Sequence, residues 1–375
     1  MATIPLPSAL DARELHGSPP IDVGPNEASG LAVAEHAPLL DALGVGEAAW
    51  SVLDEAHAQR SVVLLTNEGD GFWDGRVLDP GDGDWPKTED SEAIARHGDW
   101  LYVVGSQHGS KDGPLQRKRS FVARFAESSV EVRDDGSVGL PVPMQVARKP
   151  FVLHRLVNDA LAEFGVRLLD PGPKVRKPFV HKARKKANHK GRSYGWRIHW
   201  DDVPINVEGA VFRDDDLMIG LRTPVTADGD PIVVTIRGIE RLFTGLGTPE
   251  IADVMVVRGA GSQEAPVGVR DLHLEPGDAL HVITGNLDSS PDRSLMLKAL
   301  PEGGRAHSAH WWADLTTIAE PAARGGIRTL HATVEAQPVR EFPDRKLVEG
   351  LCRIGDRFAY AADDEEHVRV LEVDA

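Results

Sequence analysis

One phrase recurs along this 375-residue chain, and it limits the possible folds more than any other feature. NVEGAVFRDDDLMIGLRTP, at 206–224, reads as an apolar strand, an acidic turn and a second strand. LVEGLCRIGDRFAYAADD, at 347–364, repeats it as Glu-Gly, an alternating strand, a Gly-Asp turn and another strand. DSEAIARHGDWLYVVGSQHG, at 90–109, is a third copy with Glu92-Ala93 in place of Glu-Gly. GVRDLHLEPGDALHVITGNLD, at 268–288, is a fourth, in which Arg270 takes the Glu place and Asp271 the Gly place. A weaker fifth starts at EASGLAV, 27–33, and resumes at AAWSVLDE, 48–55. A further strand candidate follows each copy, at 61–66, 120–125, 232–238, 294–300 and 367–373.

Val, Ile and Leu alternate with polar residues in these units, and Gly and Asp in the turns tolerate the positive φ of tight hairpins. Each unit is a short antiparallel meander that cannot bury both faces alone, so the units must stack. Radial stacking leaves only short, protected edges. The expectation is an all-β, irregular β-propeller of five or six blades over 27–375, after an extended lead-in at 1–26. The spacing from Glu92 to Glu208 is longer than that from Glu208 to Asp271, so another blade or an insertion lies there. Two β-sandwiches are the alternative that uneven spacing keeps open.

PFVLHRLVNDALAEFGV, at 150–166, breaks the strand pattern: Val152, Leu153, Leu156, Val157, Leu161 and Phe164 fall at helical spacing after Pro150, with Gly165 as a stop. It runs into KVRKPFVHKARKKANHKGRSYGWR, at 174–197, with ten Lys or Arg and no acid. The whole chain has 42 basic and 58 acidic residues, so without this island the balance is 32 against 58, a net of −26. Helix and island read as one insertion, 146–197, carried on a propeller loop. The island is either a solvated insert facing an acidic body or a phosphate contact. In the second case Lys182, Arg184, Lys185, Lys186, Lys190 and Arg192 would meet nucleic acid, and Tyr194 and Trp196 would stack on bases.

Composition excludes other classes. No run of about 18 apolar residues exists to cross a membrane, and the N-terminal stretch lacks the basic and apolar regions of a secretory signal. A single cysteine, Cys352, rules out an internal disulfide framework. These features lead to the expectation of a cytoplasmic protein without membrane contact.

With the repeats laid out, the chain resembles the bacterial domain-of-unknown-function family 3616. SEAIA at 91–95, VVGSQHGSK at 103–111, INVEGAVF at 205–212, GLRTP at 220–224, the segment at 267–288 and LVEGL at 347–351 carry the resemblance. It runs over most of the chain from about residue 27 and implies an uncharacterised β-propeller. The family pattern reads Gly-Ser-His where Gln107 here separates Ser106 from His108.

The first strand of each propeller blade lines the central channel, so acids at the repeat starts converge there: Glu27, Glu92, Glu208, Asp271 and Glu349. A ring of like charge is costly unless protonated, paired or bridged by a cation. Glu92, Asn206, Glu208, Asp271 and Glu349 are the candidate ligands for calcium or magnesium, which favour hard oxygen donors. Arg222, Arg270, Asn286 and Asp288 are candidates to hold a ligand, since guanidiniums pair with carboxylates or phosphates. The structural alternative has each Glu accepting backbone N–H groups while Gly allows a bulge.

Weaker signals are a Ser106/His108 pair, a His307/His310 pair read as a surface pair, a buried inert Cys352, a turn at 259–266 and packing by Trp311 and Trp312. Three functions follow. The first is a binding or scaffold propeller that docks another macromolecule, with a central acidic channel able to hold a divalent cation. The second is a metal-dependent hydrolase of a phosphoester or lactone, with Glu208 as base. The third is nucleic-acid contact through the insertion.

Overall fold

The computed structural model describes residues 14–23, 27–54, 60–69, 71–81, 87–290, 292–318, 323–324, 327–328, 330–343, 347–364 and 367–374. Five antiparallel meanders follow one another in chain order. Blade 1 is Ala28–Val33, Glu47–Leu53, Val62–Asn67 and Trp73–Val77. Blade 2 is Ser91–His97, Trp100–Gly105, Val122–Ala126 and Gln145–Ala147. Blade 3 is Asn206–Arg213, Asp216–Thr223, Ile232–Arg237 and Glu250–Arg258, with Ala332–Glu335 added parallel at its outer edge. Blade 4 is Gly268–Glu275, Ala279–Gly285, Ser308–Asp314 and Gln337–Phe342. Blade 5 is Val348–Ile354, Arg357–Asp364 and His367–Asp374.

The first strands of the five blades pack side by side in ring order, and that of blade 5 meets that of blade 1. The ring is also latched at its outer edge. His16–Gly17, from the segment expected to be a mere lead-in, pairs with Glu372 and Leu371 and supplies the fourth strand of blade 5. Residues 1–13 and 24–26 of that segment lie outside the described residues.

Alternation along each strand turns apolar residues onto both neighbouring blades. Leu31, Val63 and Leu65 of blade 1 cluster with Cys352, Ala361 and Val370 of blade 5, and the Cys352 thiol is fully buried. Each large aliphatic side chain buried this way contributes about 1.5–3 kcal/mol.

The long gap between Glu92 and Glu208 holds an insertion and no extra blade. The expected helix forms at Val152–Glu163 and buries Val152, Leu153, Val157, Ala160 and Leu161 against residues of blades 2 and 3. The basic island is itself helical: Pro173–Arg176, a π-helical turn at Lys177–His181 and Lys182–His189 run without a break. Its Val175, Phe179, Val180 and Ala183 pack with Leu115, Leu287, Met296 and Leu297 from the loops of blades 2 and 4.

Two local expectations fail. The segment at 294–300 folds as a helix, Leu295–Ala299, because Ser294 caps it by accepting the Leu297 N–H at 3.1 Å. His310 lies on the third strand of blade 4 with no exposed surface, hydrogen-bonded to His281 at 2.9 Å and to the Tyr360 hydroxyl at 3.0 Å. It is therefore a core residue and not half of a surface pair.

Candidate functional site

Every inner strand carries a β-bulge at the same place. The register slips between Ser29 and Leu31, Ser91 and Ala93, Val207 and Gly209, Val269 and Asp271, and Val348 and Gly350. The skipped residues are Gly30, Glu92, Glu208, Arg270 and Glu349. A bulge frees one residue from the ladder and re-aims its side chain. Four of these five residues line one cavity of about 230 Å³ at the mouth of the channel.

The glycine after the glutamate answers a different need. A Cβ on Gly209 would stand 3.0 Å from the Asp271 carbonyl carbon and from Val269, and one on Gly350 would stand 2.8 Å from Leu31 and from Ala361. At these two positions the neighbouring strand comes too close for a side chain, whereas the equivalent places in blades 1, 2 and 4 carry Leu31, Ala93 and Asp271. Blade 2 tolerates Ala93 because Gly30 stands opposite it, at φ +69°.

The floor of the cavity is a closed ion-pair network. Arg270 Nη1 donates to Glu208 Oε2 at 2.7 Å and to Glu349 Oε1 at 2.6 Å, and its Nη2 donates to Asn286 Oδ1 at 2.9 Å. Arg222 Nη1 donates to Glu208 Oε1 at 2.7 Å, while its Nη2 and Nε donate to the side chain and backbone of Asn286. Asn206 Nδ2 reaches Glu208 Oε1 at 2.8 Å. Burial pushes the Glu208 carboxyl up, but the guanidiniums of Arg222 and Arg270 outweigh it and hold the group below the usual range. Both oxygens of the Glu208 carboxylate, the expected base, are thus occupied by guanidinium and amide donors.

The opposite wall is different. Glu92 receives a single long hydrogen bond, from Ser29 Oγ at 3.4 Å, and no cation pairs with it among the described residues. Burial first, then the charges of Asp90, Glu208, Asp54 and Glu349, push its carboxyl well above the ordinary range. Asp90 is pushed up to about 6, chiefly by burial, although Arg119 at 2.7 Å and the Ser106 hydroxyl oppose this. His108, also on the cavity wall, is driven down to about 4 by burial, and the Ile205 carbonyl accepts its Nδ1–H at 3.0 Å. Ser106 donates to Asp90, so no serine–histidine pair forms here.

The expected metal ligands are only partly brought together. Glu92, Asn206, Glu208 and Glu349 line the cavity, but Asp271 does not. Its Oδ2 accepts the backbone N–H groups of Leu31 at 3.1 Å and Leu351 at 2.7 Å, joining three inner strands. Burial, only partly offset by those N–H groups, raises its carboxyl well above the ordinary range. Arg270 already supplies the positive charge between Glu208 and Glu349. Among the described residues, the one group of His, Cys, Asp and Glu atoms close enough to share an ion is His199, Asp201 and Asp202. There Asp202 already binds Arg155 at 2.7 Å and His154 at 3.2 Å.

Of the ligand-binding candidates, Arg222, Arg270 and Asp288 line the cavity, and Asn286 lies behind it, bound to both arginines. Asp90, Lys111, Arg119 and Thr223 line it too and were not foreseen. The run Glu89-Asp90-Ser91-Glu92 held a signal for Asp90, and GLRTP contains Thr223 beside Arg222, whereas Arg119 arrives from a short helical turn, Arg117–Arg119, that no motif marks. A larger groove of about 810 Å³ lies between blades 1 and 5, but its Arg357 is already paired with Glu47 and with Glu372.

The nucleic-acid candidates Lys182, Lys185, Lys186, Lys190 and Arg192 are exposed on the insertion, and Arg184 is half-buried over the Trp200 ring at 4.7 Å. None lines the cavity. No helix among the described residues is long and apolar enough to cross a membrane.

No family model matches the chain, and no curated relative matches it. Among solved structures, a mannose phosphorylase from Leishmania mexicana is similar over 97% of this chain and 89% of its own, at 8% identity and a TM-score of 0.38. A putative glycosidase from Bacteroides thetaiotaomicron is similar over 93% and 87%, at 10% identity and 0.37. An exo-1,5-α-L-arabinanase from a bovine ruminal metagenomic library is similar over 93% of each chain, at 10% identity and 0.33. At such identities a likeness concerns the fold alone. The chain is a five-bladed β-propeller with a helical insertion between blades 2 and 3.

Proposed function

We propose that the protein is a binding module whose channel mouth captures a small, hydroxyl-rich polar ligand. One observation carries this reading. Asn206 Oδ1 and Thr223 Oγ1 are buried without a hydrogen-bond partner, and both residues line the same cavity as Glu92. Buried polar atoms are nearly always satisfied, so two such oxygens around one polar cavity favour a ligand that brings donors. Arg222 and Arg119 add cations to the wall of the same cavity. The cavity suits a compact molecule with several hydroxyls, and an anionic group on it would face the arginines.

The test is thermal stability of the full chain against monosaccharides, inositols and hydroxy acids, with calcium and magnesium in the same panel. A ligand present at a hundred times its Kd stabilises by about 2.7 kcal/mol, a shift of several degrees. Thr223→Val removes one orphaned hydroxyl at nearly constant volume and should abolish that shift while leaving the unliganded Tm within about a degree. No shift from any organic compound, or the same shift in the variant, overturns the reading. A shift from a divalent ion alone, lost in Glu92→Gln, replaces it with a cation site.

A further inference from the structure

The helical insertion has a second face that the channel does not use. Lys182, Lys185, Lys186 and His189 fall on one side of the helix Lys182–His189 and are exposed, while Ala183 and Ala187 on the other side are buried. Lys190 and Arg192 are exposed in the turn just past the helix end. The chain carries a net charge of −16, yet none of Lys182, Lys185, Lys186, Lys190 and Arg192 forms an ion pair with a described carboxylate. A charged surface that served only to neutralise the acidic body would be paired with it. Here the cations stand free to meet a polyanion.

Two aromatic rings flank the row. Trp196 is 63% exposed and Trp200 is 44% exposed, and each lies under a guanidinium: Arg197 at 5.2 Å from Trp196, Arg184 at 4.7 Å from Trp200. An exposed indole beside a row of cations offers a flat surface for a base next to charges for its backbone. The apolar side of the insertion, with Val175, Phe179, Val180 and Ala183, is buried inside the protein. No apolar helix face is left to enter a bilayer, which separates this surface from a membrane-binding amphipathic helix.

We propose that the exposed face of Lys182, Lys185, Lys186, Lys190 and Arg192, with Trp196 and Trp200, is a docking surface for single-stranded nucleic acid. The helix Lys182–His189 covers about 12 Å at 1.5 Å per residue, enough to follow about two or three phosphates. Contact with that many phosphates gives a log–log salt dependence with a slope of about −1.4 to −2 for a single strand. This surface stands apart from the channel cavity, so its fate does not depend on the ligand proposed there.

The experiment is fluorescence anisotropy of the full chain with a labelled mixed-sequence single strand, across a salt series. The same strand as a duplex, polyglutamate and phosphatidylserine vesicles serve as competing arms. Binding should show the stated slope and quench tryptophan fluorescence. The double variant Lys185→Glu, Lys186→Glu should weaken it by about a hundredfold at low salt. Trp196→Ala with Trp200→Ala should remove the preference for a single strand over the duplex while keeping the salt slope. These positions are exposed, and an unchanged Tm confirms that the variants fold. Absence of binding at low salt overturns the proposal, as does equal binding of polyglutamate, or binding of vesicles without the strand. Full retention of affinity and strand preference in both variants overturns it too.

Discussion

Glu92 and Glu208 occupy the same bulge position in neighbouring blades and line the same cavity, and their surroundings push the two carboxyl pKa values in opposite directions. Glu208 sits between two guanidiniums at 2.7 Å, which hold its carboxyl below the usual range. Glu92 accepts one long hydrogen bond from a serine hydroxyl, and burial, then the neighbouring carboxylates, push its carboxyl well above the ordinary range. The bulge decides where each side chain goes. The residues supplied by the adjoining blades decide what it is chemically.

The sharpest way to break this comparison is to remove the shared cation. Arg270→Met leaves Glu208 and Glu349 buried with less compensation and should cost about 3–5 kcal/mol, read by urea denaturation. Adding Glu208→Gln should recover part of that loss. A cost below about 1 kcal/mol would mean that the network does not hold the floor together. Close packing at the axis comes next. Gly350→Ala drives a methyl to 2.8 Å from Leu31 and Ala361 and should cost about 1–3 kcal/mol, whereas Ala93→Gly, at the same place in blade 2, should cost no more than about 1 kcal/mol.

The smallest effect concerns pH. Glu92 has a folded pKa above its unfolded value, so the folded state binds the extra proton. Its favourable contribution is complete below about 4.5 and declines as pH rises through the folded pKa. Glu208 has the reverse sign, contributing above about 4.5 and losing that contribution as pH falls through its depressed pKa. Glu92→Gln should therefore raise the Tm by about 2 °C at neutral pH and change little in acid. Glu208→Gln should lower it at neutral pH. Both variants shifting in the same direction would contradict the two opposed environments.

Much of the architecture was readable from residues alone. Glu208-Gly209 and Glu349-Gly350 announced inner strands because an acid destined for the axis and a glycine needed for strand approach are adjacent in the chain. The helix at Val152–Glu163 was legible from its apolar spacing. Blade 1 was harder, since Glu27 was the visible acid while the bulge residue is Gly30, which leaves no side chain to recognise. Asp271 looked like one more ring acid, but it lies one place past the bulge and so turns to the backbone of Leu31 and Leu351. The segment at 294–300 read as a strand until a serine cap made it a helix.

Strand alternation and turn chemistry are local properties, so the chain by itself determined the repeating meanders, their order around the axis, and three of the acids that reach the channel, Glu92, Glu208 and Glu349. Electrostatics is not local. Only the closed ring set Arg270 between Glu208 and Glu349, left Glu92 among carboxylates, and brought Asn206 and Thr223 to one cavity with oxygens unsatisfied. The energy of a buried charge depends on groups far along the chain but a few ångströms away in space, and no spacing in the sequence records that distance.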